Sequence, residues 1–496
     1  MPPIRKIGLF INGRFESSSS GESFTAINPA TEELFAQVAL ATSVDVDLAV
    51  TAARHAFEEG PWPRMRASER AEYLREVANA LDENQETLAM LEAVDTGLPI
   101  TFTRGHASRA VANFRYFAEE AERLSGMTYP LDDAYLHMTT REPMGVVAVV
   151  TPWNAPLGLA TSGAAAALAC GNTCVLKPSE LSPVTTSELA RIFDALEFPP
   201  GVFNVVQGPG TPTGEALASH PDVNAIAFTG GTMTGRRIME LSARTIKRFV
   251  GELGGNAPTL VFADAHIDRA IDGTLLCAFA NNGEACVAGS RILVERALYE
   301  TFVQRFIARA AAIRIGDPLV TETELGPIIS ARHLERLQQL IATAVAEGAR
   351  VRCGGRRPAN ISRGYYLEPT VLTDLQPGAT VLREEVLGPV VTISPFSEEA
   401  EGVDLANDTT YGLAGYVWTT HAERLLRISR RLHVGTVWAN TALVRDVRVP
   451  FGGYKQSGVG RLGGHHSIQA FTEVKNTCIA VEPYVLPTLG QLGNVE

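Results

Sequence analysis

Apolar residues recur at helical spacing over 44–59, 67–83 and 85–95, and again from about 107 to 121, so this stretch predicts helices. Gly97-Leu98-Pro99 separates the third from the fourth, glycine and proline being the residues that end helical patterns. From Gly145 the period changes. β-rich runs at 146–151, 173–176, 203–206, 225–228 and 248–251 alternate with helical stretches at 158–170, 185–196, 214–219 and 235–243. Strands that alternate with helices predict βαβ units, because a parallel partner is reached only through a crossover. A second α/β region extends from about 257 to 454, with strand-like runs at 259–262, 291–294 and 390–393. Two pieces stand outside the alternation: a polar segment near 125–141 and a β-like run at 472–481. A terminal strand so placed is expected to pair with another segment or another subunit, since a bare edge leaves backbone groups open. The serine run 17–20 reads as a loop.

Composition narrows the picture. A chain of 496 residues exceeds one simple core and predicts two or three domains. With 45% hydrophobic and 20% charged residues it reads as globular. A net charge of −12 gives nucleic-acid binding no electrostatic support. Six cysteines without paired spacing form neither a disulfide framework nor a zinc pattern, and suit a reducing cytosol. Residues 1–6 are not followed by the apolar run of a signal peptide. No window approaches the roughly 18 uncharged apolar residues of a membrane span. The expectation is a cytoplasmic protein without metal, nucleic acid or membrane as partner.

The chemistry is concentrated in a few segments. Asn281-Asn282-Gly283-Glu284-Ala285-Cys286-Val287-Ala288-Gly289 places one cysteine among small residues, which leaves a substrate carbon room to approach its sulfur. Glu252-Leu253-Gly254-Gly255 supplies a carboxylate able to activate thiol or water. The competing reading of Cys286 is a buried structural thiol. Thr151-Pro152-Trp153-Asn154 follows a predicted strand, at the end where open α/β sheets bind ligands. There Asn154 can offer an N–H to a developing oxyanion beside the N–H of Cys286. Lys177-Pro178-Ser179-Glu180 also follows a strand and suits the hydroxyls of an adenosine ribose. Phe228-Thr229-Gly230-Gly231-Thr232-Met233-Thr234-Gly235 opens a predicted helix, where glycines let backbone N–H groups approach a pyrophosphate. Gly208-Pro209-Gly210, with Gly214, is a similar turn. Glu385, in Glu384-Glu385-Val386-Leu387-Gly388-Pro389, can hold the second ribose. Pro450-Phe451-Gly452-Gly453 reads as a tight loop closing the site.

In order and spacing, these motifs resemble the NAD(P)-dependent aldehyde dehydrogenase superfamily over essentially the whole chain. The resemblance implies an α/β fold in three parts. A Rossmann-like parallel-sheet NAD-binding domain would comprise residues 1–122 and 144–253, and a catalytic domain residues 254–454. A small β oligomerisation arm, residues 123–143 and 470–496, would join a homodimer or homotetramer. It also implies that Cys286 attacks the aldehyde and that Asn154 and the Cys286 N–H hold the thiohemiacetal oxyanion. Hydride then leaves for the nicotinamide, and Glu252 activates the water that hydrolyses the thioester. Thr151, Pro152, Trp153, Lys177, Ser179, Glu180, Gly210, Gly214, Phe228, Thr229, Gly230, Gly231, Thr232, Gly235, Leu253, Glu385 and Leu387 correspond to the cofactor site. The cofactor is NAD, with NADP as the alternative. Four positions depart from the family pattern: Gly231 stands for Ser, Leu387 for Phe, Asn256 for Lys and Leu462 for Glu.

Small residues after Asn154, namely Ala155, Leu159, Thr161, Ser162 and Gly163, suggest a wide substrate tunnel. Arg445, shortly before Phe451, resembles the branch that oxidises muconic semialdehydes, in which an arginine engages a substrate carboxylate. Arg104 matches a second cation of that branch by position. The competing reading pairs Arg445 with Asp446 or with a neighbouring subunit as a surface ion pair. The expected substrate is a carboxylate-bearing semialdehyde, with a broad-specificity or betaine-type enzyme as the alternative. A CoA-acylating relative is disfavoured by the presence of Glu252. A cofactor-independent thioesterase or esterase would leave Lys177, Glu180 and Glu385 without a role.

Overall fold

The run Val146–Val150 is buried at every position, yet its side chains divide between two cores. Val147 and Val149 enter one, while Val146, Ala148 and Val150 enter the other. This is period-two alternation in a strand covered on both faces. The computed structural model, which describes residues 4–130, 134–483, 486 and 488–490, builds a doubly wound sheet around that strand.

Five short strands come first: β1 (Arg5–Ile7), β2 (Leu9–Ile11), β3 (Arg14–Glu16), β4 (Ser23–Asn28) and β5 (Glu33–Ala39). Then come helices α1 (Ser43–Glu58), α2 (Ala67–Glu83), α3 (Gln85–Thr96) and α4 (Ile100–Glu122). Thr42 starts α1 through a reciprocal cap with Asp45, which satisfies two first-turn donors. After β6 (Thr128–Pro130) and β7 (Tyr135–Pro143) follow the parallel strands β8 (Val146–Val150), β9 (Thr173–Lys177), β10 (Phe203–Val205), β11 (Val223–Thr229) and β12 (Arg248–Glu252). They lie in the order β12-β11-β8-β9-β10, extended by β2 and β3 at one edge. Their crossovers are α5 (Pro156–Ala169), α6 (Val184–Ala195), α7 (Glu215–Ser219) and α8 (Thr232–Ala243). Helix α5 is alanine-rich and buried almost all round, so small side chains let it lie flat on the sheet.

The second sheet contains β13 (Pro258–Val261), β14 (Arg291–Glu295), β15 (Arg350–Cys353), β16 (Thr370–Thr373), β17 (Val390–Phe396), β18 (Ala414–Trp418) and β19 (Thr436–Ala439). All of its pairings are parallel except that of β15 with β16. Helices α9 (Ile267–Phe279) and α10 (Arg296–Ala310) cover one face. The chain then returns: β20 (Gly458–Val459) pairs with β12 of the first sheet.

The βαβ alternation and the parallel sheets agree with the sequence expectation. The fourth helix starts earlier than expected, at Ile100. Gly97 in a left-handed conformation closes α3, and Pro99 opens α4 immediately afterwards, so the punctuation occupies only three residues. The N-terminal strands carried no signal, being mostly too short for a period. The two outlying segments pair with each other: β21 (Thr472–Ala480) runs antiparallel to β7 over its whole length. Within the expected arm, residues 131–133, 484, 485, 487 and 491–496 lie outside the described residues. No described helix is long and apolar enough to cross a membrane.

The core beneath the first sheet includes Phe193, which is fully buried, stacks on Phe203 at 4.0 Å and meets Phe198 at 4.4 Å. Phe193→Ala is expected to lower stability by about 3–5 kcal/mol, the usual cost of removing a large buried ring. The shift of the urea midpoint at unchanged slope measures it.

Candidate active site

Parallel strands end in a row, and each end carries one of the sequence motifs. Thr151–Asn154 follows β8, Lys177–Glu180 follows β9, Gly208–Gly214 follows β10, Gly230–Gly235 follows β11, and Leu253–Gly255 follows β12. Strand register places Thr229 opposite Glu252, so the glycine turn and the carboxylate are neighbours. From there the chain crosses to the second sheet through Gly254 and Gly255. A Cβ on Gly255 would collide with the Cys286 carbonyl oxygen, and one on Gly254 would lie 2.5 Å from Glu385 Oε2. The Cys286 backbone leaves no room for a side chain at Gly255, while Gly254 leaves space for the Glu385 carboxylate.

The thiol loop is shaped by two consecutive left-handed residues, Asn281 and Asn282. Asn tolerates this conformation better than most residues. Asn282 is held from three sides: its amide donates to Gly97 O and Pro327 O and its oxygen accepts from Gly326 N. Asn154 Nδ2 donates to the carbonyl of Glu284 at 2.6 Å, which leaves its second N–H available. The N–H of Cys286 donates to no acceptor among the described residues.

Electrostatics couple the groups. Burial pushes Glu252 up to about 7, against the pull of Arg445, Arg109 and Arg461. Burial raises the Cys286 thiol to about 11; Arg445 and Arg109 lower it while Glu252 and Glu385 raise it. Glu385, also raised to about 7 by burial, accepts from Gly255 N at 2.9 Å. A cavity of about 830 Å³ opens onto Glu252 and Thr229, with Arg109, Arg445 and Phe451 in its wall.

Several features fit a dinucleotide. The first turn of α8 has no side-chain cap, because Gly231 stands at its N-cap, so its N–H groups are open to an anion. No atom lies within 4 Å of a Cβ built on Gly231 or Gly210. Lys177 is buried, donates to Pro178 O and is lowered to about 8 by burial, with Glu180 close enough to raise it. The Thr151 hydroxyl is buried without a partner among the described residues. Other motif residues are structural in their contacts. Gly235 gives Leu253 room against α8, and Gly230 lies against the Phe228 ring. The Ser179 hydroxyl accepts from Leu181 N. Pro152 is half-buried, Thr232 donates to Gln456 O at 3.4 Å, and Trp153 meets His333 edge-on at 5.4 Å. Gly214 packs beside the Lys177 chain. Leu387 is left-handed, its carbonyl held by His333 Nε2 at 2.7 Å.

Three expectations about the substrate side need correction. Arg104 does not line the cavity: it forms a bidentate pair with Glu86 on the surface. Arg109 takes that place, on the face of α4 that carries Asn113 and Phe117 into the cavity wall. Positions 109, 113 and 117 share a helical period that excludes 104, a signal the sequence contained. Of the small residues after Asn154, Leu159 and Ser162 line the cavity. Thr161 instead bonds to Leu157 O, Gly158 O and Asn113, and Gly163 faces Val149. Arg445 does not pair with Asp446, which is taken by Arg448; the Arg445 guanidinium lies 3.8 Å from the Phe451 ring centroid. His333 and Arg336, which hold the backbone of 385–387, were not signalled.

The signs of these couplings are testable. Removing the Arg445 charge is expected to slow iodoacetamide alkylation of Cys286 at pH 8, and Glu252→Gln is expected to speed it. Peptide mass spectrometry at Cys286 reads both, and the opposite order would contradict the arrangement.

Comparison with known proteins agrees with this geometry. The model of the aldehyde dehydrogenase family matches residues 15–477. The 2-hydroxymuconic semialdehyde dehydrogenase of Pseudomonas sp. strain CF600 is 42% identical, over 96% of this chain and 100% of that protein. Betaine aldehyde dehydrogenase 1 of Oryza sativa is 41% identical, over 97% of each. The solved NAD+ complex of an aldehyde dehydrogenase from Bacillus cereus superposes with a TM-score of 0.94 at 41% identity, covering 96% of this chain and 97% of that one. The chain belongs to the aldehyde dehydrogenase family.

Proposed function

We propose that this protein oxidises a carboxylate-bearing semialdehyde to the corresponding diacid, with NAD as its cofactor. One observation carries the substrate class. Arg109 and Arg445 face the same cavity as Glu252, and neither makes an ion pair among the described residues. Burial, and then the charge of Arg445, push Arg109 down to about 10, so it remains a cation at neutral pH. Two guanidiniums held this way favour a carboxylate, which they can bind through paired N–H donors. A quaternary ammonium would meet like charge, and the Phe451 face that could receive it is covered by Arg445. This disfavours the betaine-type alternative.

In this reading the Cys286 thiol adds to the aldehyde carbon and its proton passes to Glu252. The free N–H of Asn154 and the N–H of Cys286 receive the negative charge on the former carbonyl oxygen. NAD+, when bound, supplies the acceptor for the hydride released from that carbon. The resulting thioester stays on Cys286 while Glu252 releases the thiol proton to solvent. Glu252 then takes a proton from water, which attacks the acyl carbon and frees the acid, and passes that proton to the departing Cys286 sulfur. Lys177 and Glu180 would hold the adenosine ribose, the α8 N-terminus the pyrophosphate and Glu385 the nicotinamide ribose. We assign residues 1–122 and 144–253 to cofactor binding and 254–454 to catalysis. Residues 123–143 and 470–496 form the arm that joins copies through the open edge of β21, in a cytoplasmic dimer or tetramer.

Arg445→Ala and Arg109→Ala are each expected to lower kcat/KM for an acidic semialdehyde at least tenfold, or about 1.4 kcal/mol of transition-state binding. A neutral alkanal should lose less, only what the altered Cys286 and Glu252 ionisations cost, so the preference for the acidic over the neutral substrate should fall about tenfold. NADH absorbance at 340 nm measures both, and equal losses on the two substrates would refute the carboxylate role.

A pH profile tests the base. Glu252 is competent only when ionised, and burial places its ionisation near 7. Activity should therefore be full above that pH and fall as pH drops through it. Because Arg445 lowers this pKa, Arg445→Ala should move the acid limb to higher pH.

A further inference from the structure

A circuit of hydrogen bonds, closed through short stretches of chain, passes through Asn154 and the loop that presents Cys286. Glu92, on α3, is 1% exposed. Its Oε1 meets His106 Nδ1 of α4 at 2.6 Å, and its Oε2 accepts from Leu157 N at 3.3 Å and Thr185 Oγ1 at 3.4 Å. A carboxylate only accepts, so Nδ1 donates to it, and Nε2 faces an amide nitrogen that can only donate. Asn281 Nδ2 donates to that nitrogen at 3.1 Å. The carbonyl of Asn281 accepts from Glu284 N at 2.8 Å, and the carbonyl of Glu284 accepts from Asn154 Nδ2. Ala155 and Pro156 then lead from Asn154 to Leu157, the second residue of α5, whose N–H returns to Glu92. One carboxylate therefore ties the helix behind Asn154 to the loop that presents Cys286.

We propose that Glu92, His106 and Asn281 are positioning residues that fix the separation of the Asn154 amide from the Cys286 N–H. The inference rests on the reading of those two groups as the oxyanion donors. Asn281 is left-handed, with φ of 52°, so its backbone alone does not favour the loop, and the bond to His106 supplies a restraint from outside it. His106 also connects α3 and α4, both remote in sequence, to the thiol loop, which a local turn residue would not do.

The test uses the full chain and NADH formation, with His106→Leu, His106→Gln, Asn281→Gly and the double variant His106→Leu/Asn281→Gly. Glycine keeps the left-handed backbone while removing the amide. Glutamine can donate to Glu92 and accept from Asn281 without a ring. His106→Leu and Asn281→Gly are each expected to lower kcat about tenfold or more, a partial loss of oxyanion stabilisation, with KM for aldehyde and NAD within about twofold. His106→Gln should recover most of that loss, and the double variant should be no worse than the poorer single one, as expected of coupled residues. Wild-type kcat in a folded Asn281→Gly protein, a change confined to KM, or additive losses would overturn the proposal. Asn154→Ala is the control on the underlying reading. If it turns over like the wild type, the oxyanion assignment fails on its own account, whatever the relay variants do.

Discussion

Glu252 is a carboxyl removed from water at the end of a parallel strand, and the rest of the site is arranged around the cost of keeping it there. Burial alone would leave it neutral, unable to act as a base. Arg109, Arg445 and Arg461 pull its ionisation back toward neutrality. The same two arginines that face the cavity also lower the thiol, while Glu252 raises it. Thiol and base are thus tuned by one set of cations, and a substrate carboxylate binding those cations would alter both at once. For the proposed carboxylate-bearing substrate, recognition and nucleophile chemistry would be coupled electrostatically.

Backbone geometry makes that coupling possible. Register between β11 and β12 sets Glu252 beside the glycine turn, and Gly254-Gly255 carries the chain past the Glu385 carboxylate and then past the Cys286 carbonyl, at a distance no side chain at 255 would allow. Two departures from the family pattern lie on this backbone. Gly231 gives up a hydroxyl but leaves the α8 amides open. Leu387 adopts a strained left-handed conformation, and His333 and Arg336 hold the carbonyls on either side of that strain.

Much of this was legible in the sequence because strand–helix alternation and motif position depend on local period and composition. Val146–Val150 and the Ala-rich α5 announce themselves as buried elements, and each motif falls where its strand ends. Pairing between distant segments was not legible. Nothing in 135–143 specifies 472–480 as its partner, since neither alternates cleanly between buried and exposed: the first is mostly half-buried and the second mostly exposed. Arg104 fell outside the helix expected from about 107, and helical phase, which the sequence did contain, separates it from Arg109 once α4 is seen to begin at Ile100. Asn281 and Asn282 could be read as polar residues near the thiol, but not as left-handed ones.

The circuit through Glu92 shows why such features escape a motif reading. Its members come from α3, α4, the thiol loop and the segment before α5, and none is chemically unusual alone. Their meaning arises from direction: a carboxylate that only accepts fixes the tautomer of His106, and that tautomer fixes what Asn281 must donate. Each bond contributes little to stability, since a typical intramolecular hydrogen bond is worth only about 1 kcal/mol net. Its effect on catalysis can be larger, because displacement of one oxyanion donor by a fraction of an ångström weakens a bond that matters only in the transition state. A closed circuit resists that displacement better than an open chain of the same bonds, since moving any member strains two contacts rather than one.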